Sequence, residues 1–267
     1  MNIMPCLPTS FVIASLAFLS AAAGAAAADM ATEEFHQTYP LSKDGRVQLE
    51  NLSGKVRIVA WDREEVKVDA IKRARTEEQL QDTTIEVDAQ ADGIKIRTRA
   101  GDAKTKPRGN HEELVSVDYL LLVPQQSHLD KISSVQGGIE IEQVTGAVKA
   151  SSVDGKIKAT GLTGDVELSS VNGPVEAAFT QLTKPVSLKS VNGPVTVSLP
   201  SAVNAELSAR TLNGPVTSDF PLEGKKQGPV GKNLQGTLGD GGPALKISTV
   251  NGPIRVDRNK AVALEKR

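Results

Sequence analysis

The residues able to do chemistry are few and far apart. His36, His111 and His128 fit no metal-ligand spacing. The one cysteine, Cys6, has no second thiol to pair with, and no Gly-x-Ser-x-Gly elbow occurs. Gly228-Pro229-Val230-Gly231-Lys232-Asn233 has the glycines and lysine of a phosphate loop. It lacks the following Ser or Thr and a strand–loop–helix setting. Lys225, Lys226 and Lys232 of that segment are instead candidate contact residues. A glycan-cleaving β-helix would need clustered carboxylates in a groove. The nearest candidates, Glu140 and Glu176, have Lys158 between them. The series Glu140, Lys158, Glu176, Thr196 and the series Lys149, Glu167, Ser187 alternate in sign, as self-neutralising cross-strand pairs do. Exposed pairs of this kind are worth about 0–1 kcal/mol. The expectation is a protein without catalytic, cofactor or metal-binding residues.

The element that positions these side chains is an internal repeat, which decides architecture before any single residue can. The phrase aliphatic–Asn–Gly–Pro–aliphatic occurs at Val171–Val175, Val191–Val195, Leu212–Val216 and Val250–Ile254, with looser copies at Val135–Ile139 and Val153–Ile157. The first steps are 18 residues (135, 153, 171), and Gly137, Gly146, Gly155, Gly164 and Gly173 are nine apart. Later steps are 20, 21 and 38 residues (171, 191, 212, 250).

Aligned half-coils give three apolar columns. The first is Val135, Val144, Val153, Leu162, Val171, Leu182, Val191, Leu212 and Val250. The second runs from Ile139 through Val175 to Ile254, and the third from Ile141 through Ala177 to Val256. Alternation followed by Asn-Gly predicts a short strand and then a sharp corner. There both residues tolerate positive φ, and Pro enters the next strand.

The fold class predicted is all-β: a β-solenoid with two strands per coil and coils of about 18–21 residues, stacked about 4.8 Å apart. All three columns are expected inside, so Val171→Asp should bury a charge. Gln136, Asp154, Asn172, Asn192, Asn213 and Asn251 should form a polar ladder at one corner, beside Gly137, Gly155, Gly173, Gly193, Gly214 and Gly252. A left-handed hexapeptide helix would run its column through Asp165, and a calcium-binding nonapeptide roll needs a recurrent Asp that the half-coils lack.

Residues 1–28 carry no charge and hold an apolar stretch from Phe11 to Leu19, ending in Ala26-Ala27-Ala28. This predicts a cleaved export leader, which leaves no transmembrane span in the mature chain. A formal net charge of −1 argues against a nucleic-acid partner. Aromatics at 3% argue against stacking platforms for sugars. Between the leader and the repeats, short alternating segments predict irregular strands, with a hairpin turn at Asp92-Gly93 and one helical turn in Thr76–Gln81. The domain plan is a leader at 1–28, a β-rich capping segment at 29–130 and repeats at 131–258. A glycine-rich loop at 224–242 interrupts the repeats, and a tail follows at 259–267.

Leu52-Ser53-Gly54-Lys55-Val56-Arg57-Ile58, Trp61-Asp62, the Val117–Pro124 run and the serial Ser-Val-Asn-Gly phrases resemble a large bacterial family of exported adhesin-like domains of unknown function. The resemblance spans nearly all of the chain after the leader and brings no catalytic or binding residues. It implies a structural or binding module of the cell envelope, periplasmic or at the surface, whose partner is an envelope protein or a surface glycan. The other function considered is a periplasmic sensing partner of a membrane signalling protein.

Overall fold

Alternation of apolar and polar side chains turns most of the described chain into strand. The computed structural model describes residues 30–101, 115–221 and 232–259. The N-terminal part contributes β1 (Ala31–Pro40), β2 (Arg46–Ser53), β3 (Val56–Trp61), β4 (Glu65–Ala74), a short helix α1 (Glu77–Asp82), β5 (Thr83–Gln90), β6 (Gly93–Ala100) and β7 (Ser116–Pro124). The regular coils are β8 (His128–Gln136), β9 (Ile139–Glu142), β10 (Val148–Asp154), β11 (Ile157–Leu162), β12 (Val166–Asn172), β13 (Val175–Phe179), β14 (Val186–Asn192) and β15 (Val195–Leu199). Then come β16 (Ala205–Asn213), β17 (Val216–Ser218), β18 (Lys232–Leu238), β19 (Ala244–Asn251) and β20 (Ile254–Arg258).

Each coil gives one strand to each of two ten-stranded sheets. The first sheet runs β1-β4-β7-β3-β9-β11-β13-β15-β20-β17 and the second β18-β16-β19-β14-β12-β10-β8-β2-β6-β5. Coil strands pair in parallel and in equivalent register, as in Val148↔Val166↔Val186↔Leu245 and Ile157↔Val175↔Val195↔Ile254. Apart from half-buried Val216 and Ser218 on β17, the second and third columns line the core. Ile139, Val148, Ile157, Val166, Val175, Val195, Ile141, Ala159, Leu168, Leu188 and Val197 are fully buried. Burying each large aliphatic stabilises by roughly 1.5–3 kcal/mol.

The first column divides between core and solvent. Val144 and Leu162 are buried, whereas Val135, Val153, Val171, Val191, Leu212 and Val250 face solvent. Strand parity explains both. Val166, Leu168 and Ser170 point inward on β12, so Val171, an odd number of residues from Val166, points outward. On β11 the same odd count runs from Ile157 to Leu162, but Gly161 at φ +72° inserts a bulge that turns Leu162 back inside. Gln143, at φ +61°, makes the same reversal before Val144.

The corner glycines answer mainly to close approach. A β-carbon on Gly155, Gly173, Gly193 or Gly252 would overlap the carbonyl oxygen of the corner glycine one coil before it, and one on Gly214 would overlap that of Gly252. The corner asparagines, expected to share the positive φ, do not: among the described residues the single non-glycine with positive φ is Gln143.

Two further features depart from a simple stack with one loop. Coil order does not follow chain order: β19 lies between β14 and β16, and β20 between β15 and β17. The segment 224–242 is not a continuous loop either. Its residues 232–238 form β18, antiparallel to β16, which closes the outer edge of the second sheet. Lys225 and Lys226 lie outside the described residues.

At the other end, a repeat boundary at 130/131 cuts through β8, and the stack begins earlier, because β2 and β3 pair in parallel with β8 and β9 as a full coil. The β5–β6 hairpin extends the second sheet past β2, and β7, β4 and β1 extend the first past β3. Thr76 caps α1 by accepting from the Gln79 amide. A buried network ties this part to the first coil: the Thr98 hydroxyl meets the Tyr119 phenol at 2.8 Å and donates to the Asn51 Oδ1, while Asn51 Nδ2 donates to the Val117 carbonyl. Burial pushes the Tyr119 phenol up to about 12. The ammonium of buried Lys72 donates to the Leu80 and Thr83 carbonyls and pairs with Glu33 on β1.

Gly173→Ala should lower stability by about 1–3 kcal/mol through overpacking at the corner, measured by urea denaturation. The His36 imidazole on β1 hydrogen-bonds Asp69 on β4 and Glu34, which raises its pKa above 6.5. That contribution is present in full below the unfolded value of 6.5 and is lost as pH rises through the higher folded value. Amide exchange protection of β1 should therefore fall over that window, and Asp69→Asn should weaken the pH dependence, leaving the part due to Glu34.

Candidate functional site

The outward-facing members of the first column make one continuous feature. In stack order Leu212, Val250, Val191, Val171, Val153 and Val135 line up across β16, β19, β14, β12, β10 and β8. Each is 40–49% exposed. Neighbours are about 4.8 Å apart, so the column is roughly 24 Å long and one side chain wide.

On one side, two residues back along each strand, stand Arg210, Ser248, Lys189, Ser169, Ser151 and Ser133. Most of these serines and valines line a shallow groove of about 530 Å³. On the other side runs the amide ladder. Asn213 Nδ2 donates to Asn251 Oδ1 (2.8 Å), Asn251 to Asn192 (2.8 Å), Asn192 to Asn172 (2.9 Å) and Asn172 to Asp154 (2.8 Å). All donors point the same way and the chain ends on the Asp154 carboxylate. With no donor of its own, Asp154 cannot pass the ladder on to Gln136 in the next strand.

Beneath the column a second polar ladder faces inward. The hydroxyls of Ser152, Ser170, Ser190, Thr249 and Thr211 donate to the carbonyls of Gly137, Gly155, Gly173, Gly193 and Gly252 at 3.0–3.2 Å. The recurrent Ser or Thr before each aliphatic–Asn–Gly phrase carried the signal for this layer, which composition alone does not disclose.

The outer face of the first sheet has another character. Lys55 pairs with Glu140 at 3.0 Å, Arg57 with Glu142 at 3.0 Å and Lys156 with Glu176 at 2.7 Å. Hydrogen bonding to Lys55 holds the Glu140 carboxyl below its ordinary range. Glu140 and Glu176 flank Lys158 in register and are two coils apart. On the second sheet Glu167 pairs with Lys189 at 3.7 Å, not with Lys149. The histidines stay apart: His36 is on β1, His128 accepts from the Ala147 amide, and His111 lies outside the described residues. Lys232 is exposed at the start of edge strand β18. Among the described residues no group of three or more His, Cys, Asp or Glu side chains is placed to hold a metal ion. No helix among them is long and apolar enough to cross a membrane.

Residues 125–257, which span every strand from β8 to β20, match the family model Toastrack DUF4097. This stretch is a Toastrack domain. The β2–β3 coil lies outside the matched residues, so the stack is longer than the Toastrack match.

In fold the chain is similar to a putative cell adhesion protein from Clostridium sporogenes, with a TM-score of 0.51 at 15% identity, covering 85% of this chain and 100% of that one. A putative adhesin from Bacteroides fragilis gives a TM-score of 0.39 at 11% identity, covering 85% and 97%. A putative lipid binding protein from Parabacteroides distasonis gives 0.34 at 9% identity, covering 84% and 96%. No curated protein matches the sequence.

The parity of the Toastrack strands sets a contrast that melting experiments can read. Val171→Asp on the exposed column should shift the melting temperature little, within about 0.5 kcal/mol. Val175→Asp, four residues on and fully buried, should cost several kcal/mol.

Proposed function

We propose that this protein is an exported, non-enzymatic binding module of the bacterial cell envelope, adhesin-like in role, and that it binds through the outer face of its second sheet. The observation that carries the reading is the solvent-facing aliphatic column. Six aliphatic side chains stand outside where the same strands put Ser, Lys or Glu at neighbouring outward positions. A contiguous apolar feature with a polar rim marks an interaction site. Glu140, Glu142 and Glu176 are each neutralised by a cation across the coils, which suits a scaffold better than an acid–base centre. The uncharged leader supports export.

Protease treatment of intact cells, run with fractionation, tests the placement. Digestion from outside favours adhesion or matrix contact. Protection until the outer membrane is opened favours a periplasmic partner, including a membrane signalling protein. Val153→Asp/Val171→Asp should release the protein from the envelope fraction while leaving its melting temperature unchanged. Retention of that double variant would remove the face from the reading, and catalytic turnover by the purified protein would remove the reading itself.

A further inference from the structure

We propose that the serine–valine face of the second sheet pairs with the same face of a second copy of this chain, related by a two-fold axis parallel to the valine column. This rests on the face being the binding face and names its partner.

Spacing is the first argument. The column repeats at the coil rise, about 4.8 Å, over six levels. A helix presents apolar side chains every 5.4 Å or so, and one extended strand presents same-face residues about 6.6 Å apart. Both lose register along the column. Another β-stack keeps it at every level, and a second copy is such a stack, with the same number of levels.

Shape is the second. Ser133, Ser151, Ser169 and Ser248 are small, so Val135, Val153, Val171 and Val250 each have a shallow recess beside them on the same strand. With the axis between the two columns, each valine of one copy sits over the serine of the other at the same level, as large and small residues alternate in a dry sheet interface. At the remaining levels the aliphatic stems of Lys189 and Arg210 offer apolar surface, and their charged ends reach toward the copy's asparagine ladder.

Charge fixes the orientation. The axis along the column places Asp154 of one copy toward Lys149 of the other, since both lie on β10 and on opposite sides of the column. Among the described residues neither has a salt-bridge partner within its own chain. An axis across the column would instead bring Lys246 of β19 against Lys149 of β10, two exposed cations at the same distance from the column. Like charges so placed oppose association. Six strands, each about seven residues long, give a footprint of roughly 660 Å². That is close to the ~800 Å² per partner of a standard interface.

The test is sedimentation equilibrium of the purified protein across about two decades of concentration, with variants followed for melting temperature. The wild type should show a monomer–dimer equilibrium, and Val153→Asp/Val171→Asp should stay monomeric with an unchanged melting temperature. Asp154→Lys should weaken the dimer about tenfold or more, and adding Lys149→Asp should restore it. A wild type that stays monomeric throughout, or a dimer indifferent to the column and to the charge exchange, overturns the proposal. A monomer whose column variant still leaves the envelope fraction means that the face serves another partner. A monomer whose column variant is retained there removes both readings.

Discussion

Successive coils can keep strand spacing through the Asn-Gly corner only because backbone meets backbone there. There each corner glycine lies against the carbonyl of the glycine one coil away, with no space for a β-carbon. This contact holds the coils at strand spacing on the corner as well as along the sheets. The other regularities depend on it. The Ser and Thr hydroxyls reach the glycine carbonyls at 3.0–3.2 Å only at that spacing. The asparagine amides bridge from coil to coil at 2.8–2.9 Å for the same reason. A residue without a side chain at the corner thus lets strand spacing persist there, and two hydrogen-bonded ladders and the aliphatic column beside them keep that period.

Much of this was legible in the sequence because strand parity and turn chemistry are local. The columns through Val175 and Ala177 were readable from alternation, the β5–β6 hairpin from its Asp-Gly pair, and a single helical turn was expected at Thr76–Gln81, where α1 lies. The column through Val171 was misassigned because hydrophobic recurrence says that a position repeats, not which way it faces. Counting an odd number of residues from Val166 would have turned it outward. The same count fails at Leu162, where Gly161 reverses the parity, and no pattern of apolar residues announces that bulge. The spatial order of the last coils was hidden for another reason: equal phrases stack equally well in any order, and only three-dimensional pairing distinguishes them.

The two outer faces of the stack follow from one repeat but differ in what they offer. On the first sheet, Glu140, Glu142 and Glu176 each find a cation across the coils, and the face is satisfied by its own charges. On the second sheet the outward positions nearest the corner are aliphatic, and among the described residues its Lys149, Lys246 and Arg210 have no ion pair. The contrast arises because the Asn-Gly corner follows only the strands of the second sheet. The polar ladder that pins the coils together therefore also marks the border of the apolar track.

The position of β19 and β20 inside the stack has a consequence for how the chain is made. Up to β15, each coil can settle on the one before it as soon as it emerges. The β16–β17 coil cannot, because its parallel neighbour is the last coil of the chain, and Asn213 waits for Asn251, 38 residues later, before its ladder bond can form. Synthesis order and stacking order part company in the final third. Long-range closure of this kind comes late in folding. A polypeptide halted before residue 244 would leave the β16–β17 coil without the parallel neighbour it has in the finished fold, so completion of the stack registers that β19 and β20 have arrived.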